Sequence, residues 1–186
     1  MNETDELVYS RFLTERNEED LKILLLRYRE SMTLFLNGYV HNMDDAEEIM
    51  LDSFAIIASG TTKYTAMGNG SFKTWLFSIG KNQAKMFLRK KKVIFIPLDE
   101  NIPNSGNEPE SDFLKEERSR QLYTALEHLP PEYRQVLYLL YFEGMKAEEI
   151  SLVMNKRTKQ IYNLAERGKK RLKEVLGRMG FEYAKS

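Results

Sequence analysis

The sequence predicts an all-α protein: two small helical domains joined by a flexible acidic linker, the C-terminal one a helix-turn-helix domain. Three observations carry that prediction. Apolar residues recur at helical spacing through most of the chain. One stretch, residues 93–112, loses that period and holds Pro97, Pro103 and Pro109 among acids. Residues 143–176 read as two helices around a tight polar break, the second of them basic. The domains are therefore expected at 1–92 and 113–186, with the linker between them.

Composition narrows the function. The 186 residues carry 28 Lys and Arg against 28 Asp and Glu, yet the charges are segregated. Acids dominate up to Gly60, and bases concentrate in Lys81 to Lys92 and again in Lys156 to Arg178. Separated basic patches on a neutral chain suggest two polyanion contacts and an acidic face kept for another partner. There is no cysteine, and His41 and His128 lie far apart, so thiolate sites and a histidine ligand cluster are excluded. No nucleophile–base set, phosphate-binding glycine loop or metal spacing is present. Neither an enzyme nor a cofactor is expected. No apolar run approaches the roughly 20 residues that span a bilayer, and the acidic start MNETDELVYS has no signal-peptide core. Membrane insertion is not expected, and a cytoplasmic protein is.

Taken in order, Glu6 to Thr14 reads as a short helix. Asn17 caps a long one from Glu18 to about Asn37, with Gly38 as its stop, and Leu21, Leu24, Leu25, Tyr28, Met32, Phe35 and Leu36 form its buried stripe. Asp44 opens the next helix, Asp45 to about Ser59. It buries Ala46, Ile49, Met50, Ser53, Phe54 and Ile57, and its other face shows Glu47, Glu48 and Asp52. Residues 60–70 form a glycine-rich loop. Ser71 then caps a helix that buries Phe72, Trp75, Leu76, Ile79, Met86 and Phe87. Lys81, Lys85, Arg89 and Lys92 recur on it at intervals of four and three, a basic stripe with Asn82 beside it. Such a stripe next to a loop suits a single or opened DNA strand, its phosphates on the lysines and a base in the loop.

After the linker, a helix from Phe113 to His128 and one opening at Pro131 lead into the basic pair. Tyr133, Val136, Leu137 and Leu140 give the second of these its apolar face. Ala147, Ile150, Val153 and Met154 share one face of the third helix; Asn155 tolerates the left-handed conformation that closes it. Thr158 caps the fourth, which buries Ile161, Leu164, Ala165, Gly168, Leu172, Val175 and Leu176. Off that stripe, Lys159, Gln160, Tyr162 and Asn163 occupy its first turns, where a helix entering the major groove meets base edges. Arg167, Lys169 and Lys170 follow one to two turns later, placed to grip phosphates.

Three blocks carry a resemblance. Residues 129–137, LPPEYRQVL, followed by Glu143-Gly144, Glu149-Ile150, Ile161, Arg167 and Leu172, resemble the C-terminal DNA-binding region of bacterial extracytoplasmic-function (ECF) sigma factors. Residues 45–54, DAEEIMLDSF, resemble the family's helix that docks on the clamp helices of the largest RNA polymerase subunit. Residues 72–79, FKTWLFSI, with Asn82 and Arg89, resemble its −10-reading and melting region. The resemblance implies that Glu47, Glu48 and Asp52 face core RNA polymerase and that Lys81, Asn82, Lys85 and Arg89 meet the −10 element. It also implies that Thr158, Lys159, Gln160, Tyr162, Asn163, Arg167, Lys169 and Lys170 meet the −35 element. A flipped base would enter the loop near Lys63 to Asn69, and the linker would thread toward the RNA exit path. An anti-sigma protein joins core polymerase and promoter DNA as a candidate partner. This chain departs from the family at Leu51, where Gln is usual, at Lys146 (Ser), at Gln160 (Thr) and at Gly168 (Ala). The competing reading is a stand-alone helix-turn-helix regulator, which leaves the acidic helix and the Phe72 block without a use.

Overall fold

The computed structural model describes residues 3–65, 70–94 and 117–180, with side chains to Lys91 in the second span. The described residues are helical, without strands, and the chain divides into two compact units, Met1–Asn107 and Glu108–Ser186. The acidic linker lies outside the described residues except for Val93 and Ile94, which continue the preceding helix. Residues 66–69 of the expected base-capturing loop, residues 113–116 and the side chain of Lys92 also lie outside the described residues.

Among the described residues the first unit holds four helices: α1 (Asp5–Glu15), α2 (Glu18–Val40), α3 (Met43–Ser59) and α4 (Phe72–Ile94). Asn17 caps α2 by accepting the Glu19 N–H at 3.1 Å. That helix does not stop at Gly38. It runs on to Val40, because His41 adopts the left-handed conformation (φ 54°) and returns its N–H to Asn37 C=O. The cap of α3 is Asn42, whose side chain accepts the Asp45 N–H at 2.9 Å; Asp44 is already inside the first turn, an acid on the positive end of the helix. Ser71 caps α4 as expected, its Oγ accepting the Thr74 N–H at 3.2 Å. The core between these helices contains Leu24, Met32, Phe35, Leu36, Met50, Ile57, Phe72, Leu76 and Phe77, each essentially inaccessible. Trp75 is core, as its spacing predicts. Gly80 brings α4 close to α2: a β-carbon there would fall 2.3 Å from the Met32 terminal methyl.

An ion pair on a buried carboxylate ties α1 to α2, beside a second pair between Arg27 and Asp5 at 2.6 Å. Asp20 is buried, and Arg11 donates through Nε to both of its carboxylate oxygens, at 3.0 and 2.9 Å, while also pairing with Glu3 at 2.8 Å. The hydrogen bonds from Arg11 hold the Asp20 carboxyl below the usual carboxylate range, and Glu3 is shifted the same way. A depressed folded-state pKa stabilises the unit above the unfolded value of about 4, and that contribution is lost as the pH falls through the folded value. Asp20→Asn is therefore expected to lower the urea midpoint of the N-terminal unit at neutral pH and to flatten its decline in acid. A midpoint–pH curve parallel to the parent's would remove Asp20 from the acid response.

The described residues of the second unit also form four helices: α5 (Glu117–Glu127), α6 (Pro131–Tyr141), α7 (Ala147–Met154) and α8 (Thr158–Arg178). Helix α6 is its centre, packed against α5, α7 and α8. Residues 134–139 are all buried, while Tyr133 and Leu140 of the expected face are only partly so. A helix covered on three sides buries more than one stripe. Pro131 occupies its first turn, where the missing N–H costs nothing.

Candidate polymerase and nucleic-acid interfaces

The C-terminal candidates sit on α8, whose placement begins with the turn before it. Asn155 closes α7 in the left-handed conformation (φ 53°, ψ 51°), and Lys156 N–H reaches back to Ser151 C=O at 3.0 Å. The Lys156 ammonium pairs with Glu132 of α6 at 2.7 Å, tying the turn to the central helix. Thr158 is not the cap. Arg157 holds the N-cap position with extended backbone, and Thr158 is the first helical residue. Gln160 takes the capping role: its Oε1 accepts the Arg157 N–H at 2.9 Å, as Glu149 does for Lys146 at 3.0 Å one helix earlier. Sequence reading missed this because Thr is a strong N-cap type, whereas a Gln three residues into a helix is also a surface residue.

Helix α8 is held by Ile161, Gly168, Leu172 and Val175, all buried. Gly168 has a packing reason. A β-carbon there would lie 3.2 Å from Leu137 Cδ1 and 3.3 Å from Tyr133 Cβ, so its absence lets α8 lie close on α6. The opposite side is open: Lys159, Gln160, Tyr162, Asn163, Arg167, Lys169 and Lys170 are all exposed. Tyr162 is 58% exposed, its hydroxyl 3.5 Å from Glu148 of α7. A helix anchored on one side and lined with donors and cations on the other can enter a DNA groove without disturbing its own domain.

The acidic face in the first unit is likewise presented as expected, with one difference. Glu48 and Asp52 are exposed on α3, and Leu51 between them is 49% exposed. Glu47 is half-buried, its Oε1 accepting from Arg29 Nε of α2 at 3.1 Å. Two of the three acids are thus open to a partner and the third is engaged within the fold.

The basic stripe on α4 needs a correction. Lys81 is only 4% exposed and does not line the surface with the rest. Its position sits among residues that face the core, between Phe77 and Ala84, and a four-residue interval drifts around a 3.6-residue helix. Asn82, Lys85 and Arg89 are exposed and Lys90 extends the positive surface, while the Lys91 ammonium pairs with Asp45 of α3 at 3.0 Å. Met86, expected in the core, is 43% exposed, and Phe87 is half-buried under the Lys91 ammonium, 5.5 Å from the ring centroid.

Two family models match separate stretches of the chain. Sigma-70 region 2 matches residues 24–93, and sigma-70 region 4 matches residues 119–172. The RNA polymerase sigma factor SigV of Bacillus subtilis is 31% identical over 124 residues, 67% of this chain and 71% of that protein. The chain belongs to the ECF sigma factors. The ECF sigma-E factor of Salmonella typhimurium is 25% identical over 163 residues, covering 82% of this chain and 83% of its own. Two solved structures share the fold. One is CnrH with the cytosolic domain of CnrY (TM-score 0.66, 16% identity, 95% of this chain and 99% of that one). The other is RpoE with the anti-sigma factor NepR from Bartonella quintana (TM-score 0.63, 21% identity, 86% and 98%).

As an ECF sigma factor, the protein acts with RNA polymerase on promoter DNA and directs promoter-specific initiation of transcription. The match to region 2 gives a use to the acidic helix and the Phe72 block, which a stand-alone helix-turn-helix regulator does not. Among the described residues, no helix is long and apolar enough to cross a membrane.

Proposed function

We propose that the two units divide this work, residues 1–92 binding core polymerase and reading the −10 element, residues 93–112 linking, and residues 113–186 reading the −35 element. The protein acts in the cytoplasm as a non-catalytic initiation factor. Glu48, Asp52 and, through a shared pair with Arg29, Glu47 face the polymerase. Asn82, Lys85 and Arg89 meet the −10 strand. The two neighbouring structures are each complexes with a second protein, one of them a sigma factor with an anti-sigma factor, which supports such a partner for this chain.

The observation that carries the −35 assignment is the exposed first turns of α8 beside its fully buried Ile161 and Gly168. Asn163 and the free amide nitrogen of Gln160 read bases there, and Arg167, Lys169 and Lys170 hold phosphates. Thr158, at the first helical position, sets the start of the reading turn.

Because Gln160 also caps the helix, Gln160→Glu is the informative change: it keeps the acceptor for Arg157 N–H and removes the amide donor. Gln160→Glu and Asn163→Ala are each expected to change preference at particular −35 positions by about 1–3 kcal/mol. Neutralising Lys169 and Lys170 together is expected to weaken all promoters alike and reduce the salt slope by about 2. A promoter library transcribed by each variant at two salt concentrations separates these outcomes. A parental −35 preference in both reading variants would place another face of α8 on the bases.

A further inference from the structure

Helix α1 lies ahead of residues 24–93, where the region 2 match begins, yet it grips both ends of the connection between α3 and α4. At the α3 end, the Tyr9 hydroxyl donates to Ile57 C=O at 3.0 Å, and Arg16 Nη1 donates to Ala58 C=O at 3.2 Å. At the α4 end, Glu6 Oε1 accepts the Phe72 N–H at 2.9 Å, a bond across 66 residues. A carboxylate there satisfies one of the helix's orphan donors and stands at the positive end of its dipole. The Tyr9 ring also packs on Phe72 and Trp75, at centroid distances of 5.1 and 5.4 Å. Tyr64, from the connection itself, packs on the same two rings, at 6.0 and 5.5 Å, and donates to Gly70 C=O at 2.8 Å.

We infer that α1 is a positioning element for promoter opening: Glu6, Tyr9 and Arg16 hold the last turn of α3 and the first turn of α4 together and so set where α4 meets the opened strand. This rests on the proposed −10 role of α4. The three contacts are polar, directional and shared between one helix and two chain ends. Glu6 and Arg16 lie at the edge of the fold rather than in its apolar core. Losing one of them loosens a register more than it empties a core. None of the three residues need touch DNA.

The test uses the full-length protein assembled with core polymerase on a promoter selected by the parental holoenzyme. Permanganate reactivity of −10 thymines reads opening, and core affinity and −35 binding are measured beside it. Glu6→Ala is expected to reduce opening roughly tenfold, the size of effect of one charge-assisted hydrogen bond. Tyr9→Phe keeps the ring and loses only the hydroxyl, and is expected to reduce opening about threefold. Glu6→Gln, whose amide oxygen still accepts from Phe72, restores most of the loss. Core affinity and −35 binding stay parental throughout. A promoter with a mismatched, already open −10 region narrows the defect, because the strand no longer waits on capture. Lys85→Ala with Arg89→Ala is the control for the reading beneath. Parental opening in the Glu6 and Tyr9 variants, with opening reduced in that control, overturns the role of α1 and leaves the −10 assignment standing. Parental opening in the control as well overturns both. A Glu6→Ala variant that loses core affinity and opening in equal measure shows a folding role only, and also overturns the inference.

Discussion

Replacing Arg134 by alanine is expected to destabilise the C-terminal unit by about 3 kcal/mol. Arg134 is buried on α6, and its guanidinium closes the end of α5. Nε donates to Leu126 C=O at 3.1 Å, and Nη2 donates to Glu127 C=O at 2.7 Å and to Leu129 C=O at 3.0 Å. Helix C-termini leave carbonyls without intrahelical partners and carry the negative end of the dipole, so a fixed cation there acts on both counts. Burial lowers the pKa of the group, but a guanidinium keeps its proton in proteins. Removing the side chain takes a donor from three carbonyls, of which Leu126 C=O keeps another, the Leu129 N–H at 3.0 Å, and it leaves a cavity against α5. Arg134→Lys keeps the charge without the planar fork and is expected to recover less than half of the loss. Hydrogen exchange of the α5 to α8 amides in the full-length chain measures the effect. About 3 kcal/mol corresponds to exchange faster by roughly a hundredfold through global opening. Parental protection in Arg134→Ala would mean that the carbonyls find other donors.

The second large effect is expected at the polymerase. Glu48→Lys with Asp52→Lys turns an open acidic face basic without touching the core, since both side chains are exposed. Like charges set against a complementary surface cost several kcal/mol, and about 3 kcal/mol is roughly a hundredfold loss of core affinity. Circular dichroism and melting are expected to stay parental, because exposed substitutions seldom move stability by more than about 0.5 kcal/mol. Glu47→Gln is expected to have a smaller effect, because Arg29 already draws that carboxylate to the α2 side. Parental core affinity in the double reversal would move the polymerase to another face of the unit.

Much of the architecture was legible in the residue order because helices announce themselves locally. Asn17, Ser71 and Asn155 act at the helix ends where their types placed them, and Pro131 sits in a first turn. Three boundaries misread. Asp44 reads as the opening of α3, but Asn42 caps it and Asp44 lies inside the first turn. Gly38 invites a stop, but the chain was free to end α2 three residues later on His41, and local propensity is weaker than the packing that carries the helix on. Thr158 and Arg157 exchanged roles because Gln160 supplies the capping acceptor from inside the helix. The candidate surfaces were legible as charge at helical spacing, and most of those side chains are exposed.

What periodicity does not encode is how far around a helix its neighbours reach. That is why Lys81 is buried while Met86, five residues on, is open, and why α6 buries a continuous run rather than a stripe. It is also silent on contacts between distant residues. Glu6 on Phe72, Asp20 under Arg11 and Lys156 on Glu132 join positions whose pairing has no local signature. The sequence by itself determined the helices, their order, the division of charge and the family. Only the tertiary structure decided which charges are spent inside the fold and which remain for polymerase and DNA. The reason is physical: a side chain's availability depends on the solvent and partners that packing leaves it, and those are supplied by residues far away in the chain.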